Sequence, residues 1–488
     1  MSDSAGVGTE SPPLKAAAVS GERGETLWLY EASKKIYPRS VSGWWAGWRW
    51  ALVWLTQIVF YGLPWLQWNS RQAVLFDVGA RRFYIFGLML HPQDFIFLTA
   101  LLIISAYSLF LFTAVAGRLW CGFACPQTVY TEIFLWVERH IEGDRVQRMK
   151  LDAAPWSANK LARRSAKQIA WLSIGLWTGF TFVGYFTPVR QLWAEAMVLG
   201  FGPWEWFWVG FYGFSTYGNA GYMREQVCKY MCPYARFQSV MFDKDTMIVT
   251  YDQQRGDPRG TRSRKIDARA AGLGDCIDCG LCVQVCPTGI DIRKGLQYEC
   301  IGCAACIDVC DGVMDKMQYP RGLVRFATQH GLENHWTRNQ MLRHVLRPRV
   351  LVYTAILLAI VTAFVTSLAL REPFRVDVVR DRGVLARTVG EGVVENVYRL
   401  QIMNATEHPQ RYTVRVTGMP GAEIATRPDF EVGPTEARWV PVTVQLPPEA
   451  AAKIGAGAQP LEFEVERLPG PDENAVTLRE KSTFVIPR

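Results

Sequence analysis

Hydrophobic positions are arranged in two different ways along this chain. Five stretches are almost continuously apolar, at about 48–66, 95–115, 169–187, 193–215 and 350–370, each close to the roughly 20 residues that carry a helix across a bilayer core. The last, VLVYTAILLAIVTAFVTSLAL, has no charge and is flanked by Arg347, Arg349 and Arg371. The fourth contains Gly200, Gly202 and Pro203, which predict a break or a tilt. Beyond residue 371 the pattern changes to alternation, in 397–403, 411–416, 439–446, 461–466 and 479–486, with turns rich in Pro, Gly and Asn. That period predicts about seven short strands in a β-sandwich of immunoglobulin type. Residues 1–24, rich in Ser, Gly, Ala and Pro with no apolar run behind a basic start, read as an unstructured tail without a secretory signal.

Composition supports a membrane reading. Charged residues are 20% of the chain and aromatics 13%, with 19 Trp, a balance suited to interfacial Trp belts. The net charge of +8 matters through its placement. Nine Lys and Arg lie between Arg118 and Lys167, against three in 67–94 and one in 188–192. Positive loops face the cytoplasm, so the N-terminus and 216–349 are expected inside. Residues 371–488 are then expected outside, in the periplasm if the membrane is the inner membrane of a Gram-negative bacterium.

Eight of the 12 cysteines fall in 276–310, as CIDCGLCVQVCPTG followed by CIGCAACIDVCDG. Each run is Cys-x2-Cys-x2-Cys-x3-Cys, the spacing that wraps a [4Fe-4S] cubane in bacterial two-cluster ferredoxins, where the fourth Cys of each run serves the other cluster. One set is therefore Cys276, Cys279, Cys282 and Cys310, and the other is Cys300, Cys303, Cys306 and Cys286. Small residues at Gly280, Gly302, Ala304 and Ala305 suit loop backbone passing close to inorganic sulfide. Structural zinc usually shows paired CxxC motifs across a longer arm, and a disulfide framework does not explain a doubled run. One departure is visible: Pro287 follows the first run, but Asp311 follows the second. The loop charges put these thiols in the reducing compartment, from different residues than those that define the clusters.

The other four cysteines repeat one form, Cys121-Gly-Phe-Ala-Cys125-Pro126 and Cys228-Lys-Tyr-Met-Cys232-Pro233. This predicts two copies of one unit, 48–141 and 169–243, each a pair of spans, a CxxxCP and an amphipathic helix, at 126–141 and 233–243. Proline suits the first helical position and disfavours helix in the residue before it, so Cys125 and Cys232 are expected as N-caps. The helix dipole, with Arg118, Arg224, Lys229 and Arg236 nearby in sequence, is expected to favour their thiolates. Thiolates bind soft metals such as Cu(I) or cycle to a disulfide; small buried apolar residues are the alternative. The six histidines include no CxxCH and no pair within a span, and no Walker loop or GxGxxG after a strand is present. Nothing in the chain points to nucleic acid. The segment 371–488 has no cysteine, so a binding or scaffolding role is expected of it.

The order of two membrane pairs with CxxxCP, a two-cluster ferredoxin, a further span and a terminal β-sandwich resembles the FixG/RdxA/CcoG family, the cytochrome c oxidase accessory proteins. The expected fold is a multi-domain membrane protein: an α-helical transmembrane bundle of five spans, a bacterial-type 2[4Fe-4S] ferredoxin domain and a C-terminal all-β immunoglobulin-like sandwich. Its expected divisions are 1–47, a cytoplasmic tail; 48–243, four spans with both CxxxCP motifs; 244–349, the cytoplasmic ferredoxin; 350–370, the fifth span; and 371–488, the periplasmic sandwich. The resemblance implies a cupric reductase that supplies Cu(I) for assembly of a cbb-type oxidase, with Cys121, Cys125, Cys228 and Cys232 as the catalytic, copper-holding thiols. It implies as partners a cytoplasmic electron donor, copper ions, copper transporters or chaperones and oxidase subunits. A polyferredoxin-like respiratory subunit fed by quinol or a soluble donor, and a non-catalytic assembly scaffold, are the alternative functions.

Overall fold

A computed structural model describes residues 35–69, 71–268, 270–381, 386–469 and 475–487, with the backbone of two short strands before them. The expected tail at 1–24 lies outside the described residues except for Val19–Ser20, which pairs antiparallel with Thr26–Leu27. The chain folds into two compact units. One comprises Met1–Leu52, Ala116–Trp171 and Asn219–Met341; the other comprises Val53–Val115, Leu172–Gly218 and Leu342–Arg488. All 12 cysteines belong to the first.

In the first unit, Pro126 and Pro233 each open a helix, Pro126–Ile141 and Pro233–Met241. The Pro126–Ile141 helix buries Val129, Phe134, Val137 and Glu138. Phe134 stacks on Trp171 with ring centroids 5.2 Å apart, and the Trp171 indole N–H donates to the Phe134 carbonyl at 3.2 Å. The second repeat meets this face through a π-helical turn, Asn219–Met223. Gly221 in that turn lies flat on the Trp171 ring, where a Cβ would come within 3.0 Å. Beside the aromatic stack, the buried Glu138 carboxylate receives Arg148 at 2.6 Å and Arg224 at 2.7 Å, while Lys167 pairs with Glu142 at 2.9 Å. Carboxylates on the first amphipathic helix and its end thus bind cations from three other segments.

The ferredoxin part is closed by strand Ile248–Tyr251, antiparallel to Val324–Ala327. Its core contains Val249, Tyr251, Ile292, Ile307, Met314, Leu323 and Val324, with Phe123 of the first CxxxCP motif packed among them. The Pro287/Asp311 difference has a structural reason. The first run's helix ends at Gln284, whereas the second run's continues from Ala305 to Met317, through a position where proline would remove a helical hydrogen bond. The Asp311 carboxylate accepts from the Gly322 N–H at 2.9 Å instead. The helix Trp44–Gly62 starts against this domain: the Trp45 and Ala46 N–H groups donate to the Asp308 carboxylate at 3.1 and 2.7 Å, which satisfies donors that a helix start leaves open.

In the second unit, two helices among the described residues are long and apolar enough to cross a membrane, Pro92–Ala116 and Pro348–Ala369. Trp44–Gly62 and Ala158–Val183 cover two further apolar stretches, but include Arg49 and, in the second helix, Lys160 through Lys167. The break expected in the 193–215 stretch is present. Two helices occupy the region, Val189–Met197 and Pro203–Gly218, and Leu199 between them has φ of 54°. The 67–94 stretch, expected as a plain loop, contains a three-stranded antiparallel sheet, Val74–Asp77, Arg82–Ile85 and Leu88–Leu90.

The C-terminal segment forms two antiparallel sheets. One orders Phe374–Arg380, Val393–Asn404, Ala437–Leu446 and Glu423–Ile424, with Arg387–Val389 added on Val393–Asn404; the other orders Asp429–Val432, Gln410–Thr417, Gly457–Arg467 and Val476–Ile486. Among the described residues nine strands stand where about seven were expected, because Arg387–Val389 and Glu423–Ile424 are too short to show a period. Inward residues such as Tyr398, Leu400, Tyr412, Phe463 and Phe484 fill the space between the sheets, as alternation requires.

Removing one partner of a buried ion pair strands the others, at a cost of about 3–5 kcal/mol. Glu138→Ala is therefore expected to lower stability by that order in denaturant unfolding. Burial pushes the Glu138 carboxyl up, but Arg224, Arg148 and Lys167 pull it below its ordinary value overall. A carboxyl held low when folded contributes stability above its unfolded pKa and loses it as pH falls through the folded one. The difference between the wild type and Glu138→Ala should accordingly shrink on acidification below the ordinary carboxylate range.

Candidate functional site

The two cysteine runs fold as a structural repeat. Asp278 and Gly302 occupy equivalent places and both have positive φ, 52° and 69°; so do Gly280 and Ala304, at 65° and 59°. The left-handed residues turn the loop back between successive thiols, and Gly280 and Ala304 then cap the helices Leu281–Gln284 and Ala305–Met317. Cys276, Cys279, Cys282 and Cys310 line one cavity, of about 390 Å³. Cys286, Cys300, Cys303 and Cys306 line a second of about 350 Å³, which Cys282 also reaches. No His, Asp or Glu lines either cavity.

Four thiols around an apolar hollow are the donor set of a [4Fe-4S] cubane, so the residues present fit that group. Among the described residues no group of three or more His, Cys, Asp or Glu is arranged for a single metal ion. Without metal, burial pushes Cys282 up to about 11 and Cys300 and Cys310 up to about 12. Metal must therefore displace these protons as it binds.

The CxxxCP cysteines assemble from both repeats. Cys125 and Cys232 are extended N-caps directly before their prolines. Each N–H donates five residues back, Cys125 to Trp120 at 3.0 Å and Cys232 to Val227 at 2.8 Å. The copies differ around the first thiol: Cys121 sits in a short α-helix, Leu119–Phe123, and Cys228 in a π-helical turn, Val227–Met231, a form common at functional sites. The four thiols lie within electrostatic reach of one another. The fully buried Gln238 donates through its amide to the Cys121 sulfur at 3.5 Å. The Gln127 amide ties the repeats together, donating to the Asn219 and Arg224 carbonyls at 2.9 and 3.1 Å.

The expectation of a favoured thiolate at Cys125 is corrected. Burial pushes Cys121 up to about 11, Cys228 to about 12, and Cys125 in the same direction. Of the basic residues counted on for that effect, Arg118 does lie near Cys121 and Cys228, as a weaker influence than burial. Arg224 is committed to Glu138. Desolvation of the charged form outweighs a helix dipole and one partly shared cation.

The first CxxxCP motif rests directly on the second cysteine run. A Cβ at Gly122 would stand 2.7 Å from the Cys303 N and Cα and 2.8 Å from the Gly302 carbonyl carbon. From the other side, a Cβ at Gly302 would meet the Arg118 carbonyl at 3.1 Å. Two side-chain-free positions thus let two backbones touch. The equivalent residue of the first run, Asp278, keeps a half-exposed side chain that pairs with Arg293. An open cleft alongside is lined by both Cys303 and Cys228, together with Arg49, Glu132 and Arg139. Sequence reasoning named Gly302 for another reason and missed Gly122, Gln238 and Arg49. Glycine inside a CxxxC was the available signal.

Comparisons with known proteins fall on these same segments. A family model described as a 4Fe-4S dicluster domain matches residues 223–329, spanning the second CxxxCP and both runs. A model described as a 4Fe-4S binding domain matches 97–142, and one for the immunoglobulin-like fold at the C-terminus of FixG matches 364–487. Nitrogen fixation protein FixG of Rhizobium meliloti is 39% identical over 444 residues, 85% of this chain and 84% of that protein. Protein RdxA of Cereibacter sphaeroides is 38% identical over 411 residues, 83% of this chain and 86% of its own length. The crystal structure of a FixG-related protein from Vibrio parahaemolyticus is similar over 24% of this chain and 97% of its own, at 24% identity and a TM-score of 0.20.

Gly122→Ala is expected to part the two loops, at an overpacking cost on the order of 1–3 kcal/mol. Iron content should fall toward about half, with one of two cluster EPR signals lost. A further check is alkylation of Cys121 and Cys228 read by mass spectrometry. Since the thiolate is the nucleophile, the rates should still be climbing at pH 10 instead of levelling off near the ordinary thiol pKa of about 8.5.

Proposed function

The chain belongs to the FixG, RdxA and RdxB family of iron-sulfur electron-transfer proteins, and from that premise we propose that it is a membrane-bound cupric reductase. In this reading Cys276, Cys279, Cys282 and Cys310 hold one [4Fe-4S] cluster, and Cys286, Cys300, Cys303 and Cys306 hold the other. The clusters, when bound, supply one-electron carriers between a cytoplasmic donor and the CxxxCP thiols. The substrate is Cu(II), which takes one electron and becomes Cu(I).

The observation that carries the proposal is the backbone contact of Gly122 with Gly302 and Cys303. It puts the loop between Cys121 and Cys125 directly against the loop that supplies two cluster ligands. Cys121, Cys125, Cys228 and Cys232 then receive the reduced ion, for which soft thiolate ligands are selective. Because burial holds Cys121, Cys125 and Cys228 as thiols, binding of Cu(I) releases protons. The cleft that reaches Cys228 and Cys303 gives a small substrate a route to the thiols.

The two long apolar helices support a location in the bacterial inner membrane. We extend this to five crossings, with the cysteine-bearing segments cytoplasmic and the sandwich periplasmic, on the strength of the loop charges. Delivery of Cu(I) toward assembly of a cbb-type oxidase, with oxidase subunits and copper carriers as partners, completes the proposal.

Replacing Cys121, Cys125, Cys228 and Cys232 together by Ser should abolish steady-state Cu(I) formation by reduced protein, a loss of at least about 100-fold, since even the residues that only support a metal's ligands cost roughly 10–100-fold. Cluster EPR signals should survive. Unchanged copper reduction in that variant would refute the assignment and favour electron delivery to a protein partner.

A further inference from the structure

The two four-thiol cavities differ in the charges around them. Beside the Cys286, Cys300, Cys303 and Cys306 cavity, two arginines are buried with no carboxylate on either. Arg49, 6% exposed, donates through Nη1 to the Cys303 carbonyl at 2.7 Å, and its Nε has no hydrogen-bond partner. Arg118, 5% exposed, donates to the Ala235 carbonyl, and its Nε is equally unpartnered. Arg118 shares the wall of a small cavity with Cys300 and Gly302. Glu132 lines the open cleft with Arg49 and Cys303 but forms no ion pair with the arginine. Asp308, on the helix that carries Cys306, spends its oxygens on the Trp45 and Ala46 N–H groups.

Around the other cavity carboxylates stand among the cations. Arg293, on its wall, pairs with Asp291 at 2.8 Å and with Asp278. Arg262, 9% exposed, donates to the Cys276 and Gly274 carbonyls at 3.3 and 2.6 Å and to the Tyr319 hydroxyl at 3.2 Å, and is, among the described residues, the one buried arginine here held by neutral groups. Beside it in this cavity's surroundings are two carboxylates: Asp257, which pairs with Arg259 at 3.2 Å and accepts from the wall residue Tyr251 at 2.8 Å, and Asp311, next in sequence to Cys310.

A buried cation without a counter-ion is costly unless an anion completes the site. A cluster held by four thiolates is such an anion, and reduction adds one more negative charge to it. Nearby guanidinium groups therefore favour the reduced state over the oxidised one, and net charge and hydrogen bonding are the means by which a protein sets cluster potential. Given that both clusters are bound as proposed above, we propose that Arg49 and Arg118 give the cluster at Cys286, Cys300, Cys303 and Cys306 the higher reduction potential of the two. Electrons then settle on the site that adjoins the CxxxCP motif, and the direction of transfer is built into the charge distribution.

The test is an EPR-monitored redox titration of the full-length protein in lipid nanodiscs, with no copper present. Wild type should give two waves. Arg49→Gln and Arg118→Gln should each move the upper wave down and leave the lower one in place, while Arg49→Lys and Arg118→Lys should keep most of the wild-type value. Movement of the lower wave, or no movement of either at full iron content, overturns the proposal. If the glutamine variants lose iron, Glu132→Gln decides the matter: the upper wave must rise alone, and any other result counts against the inference. These potentials are read independently of copper, so a failure of the copper assignment leaves this result standing.

Discussion

The arrangement depends on two backbones touching at Gly122 and Gly302–Cys303. Glycine is needed on both sides, because a Cβ at either position would fall inside or at the edge of van der Waals contact with main-chain atoms that cannot swing away. The contact fixes where the first CxxxCP lies relative to four cluster-type cysteines. The second CxxxCP reaches the same place through the packing of the repeats, in which Gln127 bridges to the Asn219 and Arg224 carbonyls. Glu138 anchors that packing from below with three cations. Phe123, the central residue of the first motif, sits inside the ferredoxin core, so the thiol motif and the cluster domain share one hydrophobic centre.

Burial and charge act in opposite directions on this site. Desolvation favours the protonated form of Cys121, Cys125 and Cys228, so a metal taken up there would have to displace their protons. The same low-dielectric surroundings magnify the two arginines that lack carboxylate partners. One region thus holds neutral thiols and uncompensated cations together, and both conditions are relieved by binding groups that carry negative charge or stabilise it.

Much of this was legible in the sequence. The doubled Cys-x2-Cys-x2-Cys-x3-Cys spacing sorted eight thiols into the two sets that line the two cavities, because local spacing determines which side chains a tight loop can converge. Proline after cysteine marked Cys125 and Cys232 as helix caps for the same local reason. Alternation located the long strands of the sandwich but not Arg387–Val389 or Glu423–Ile424, which are too short to carry a period. Gly200, Gly202 and Pro203 marked the break in the 193–215 stretch, where Leu199 adopts a left-handed turn between two shorter helices. Thiolate character was misjudged because a dipole argument uses neighbours in sequence, whereas burial depends on neighbours in space. The docking of Gly122 and the isolation of Arg49 are long-range facts, and no local pattern announces them.

The central claim is that electrons held beside Cys303 pass to copper captured by the CxxxCP thiols. Rapid-freeze-quench EPR and X-ray absorption on reduced, reductant-free protein mixed with a deficit of Cu(II) test it most directly. The account predicts that reduced-cluster spins disappear one for one with Cu(II), and that the product is Cu(I) with sulfur ligands alone. Persistence of the reduced-cluster signal beside unreduced Cu(II), or Cu(I) bound only by nitrogen and oxygen, would contradict it.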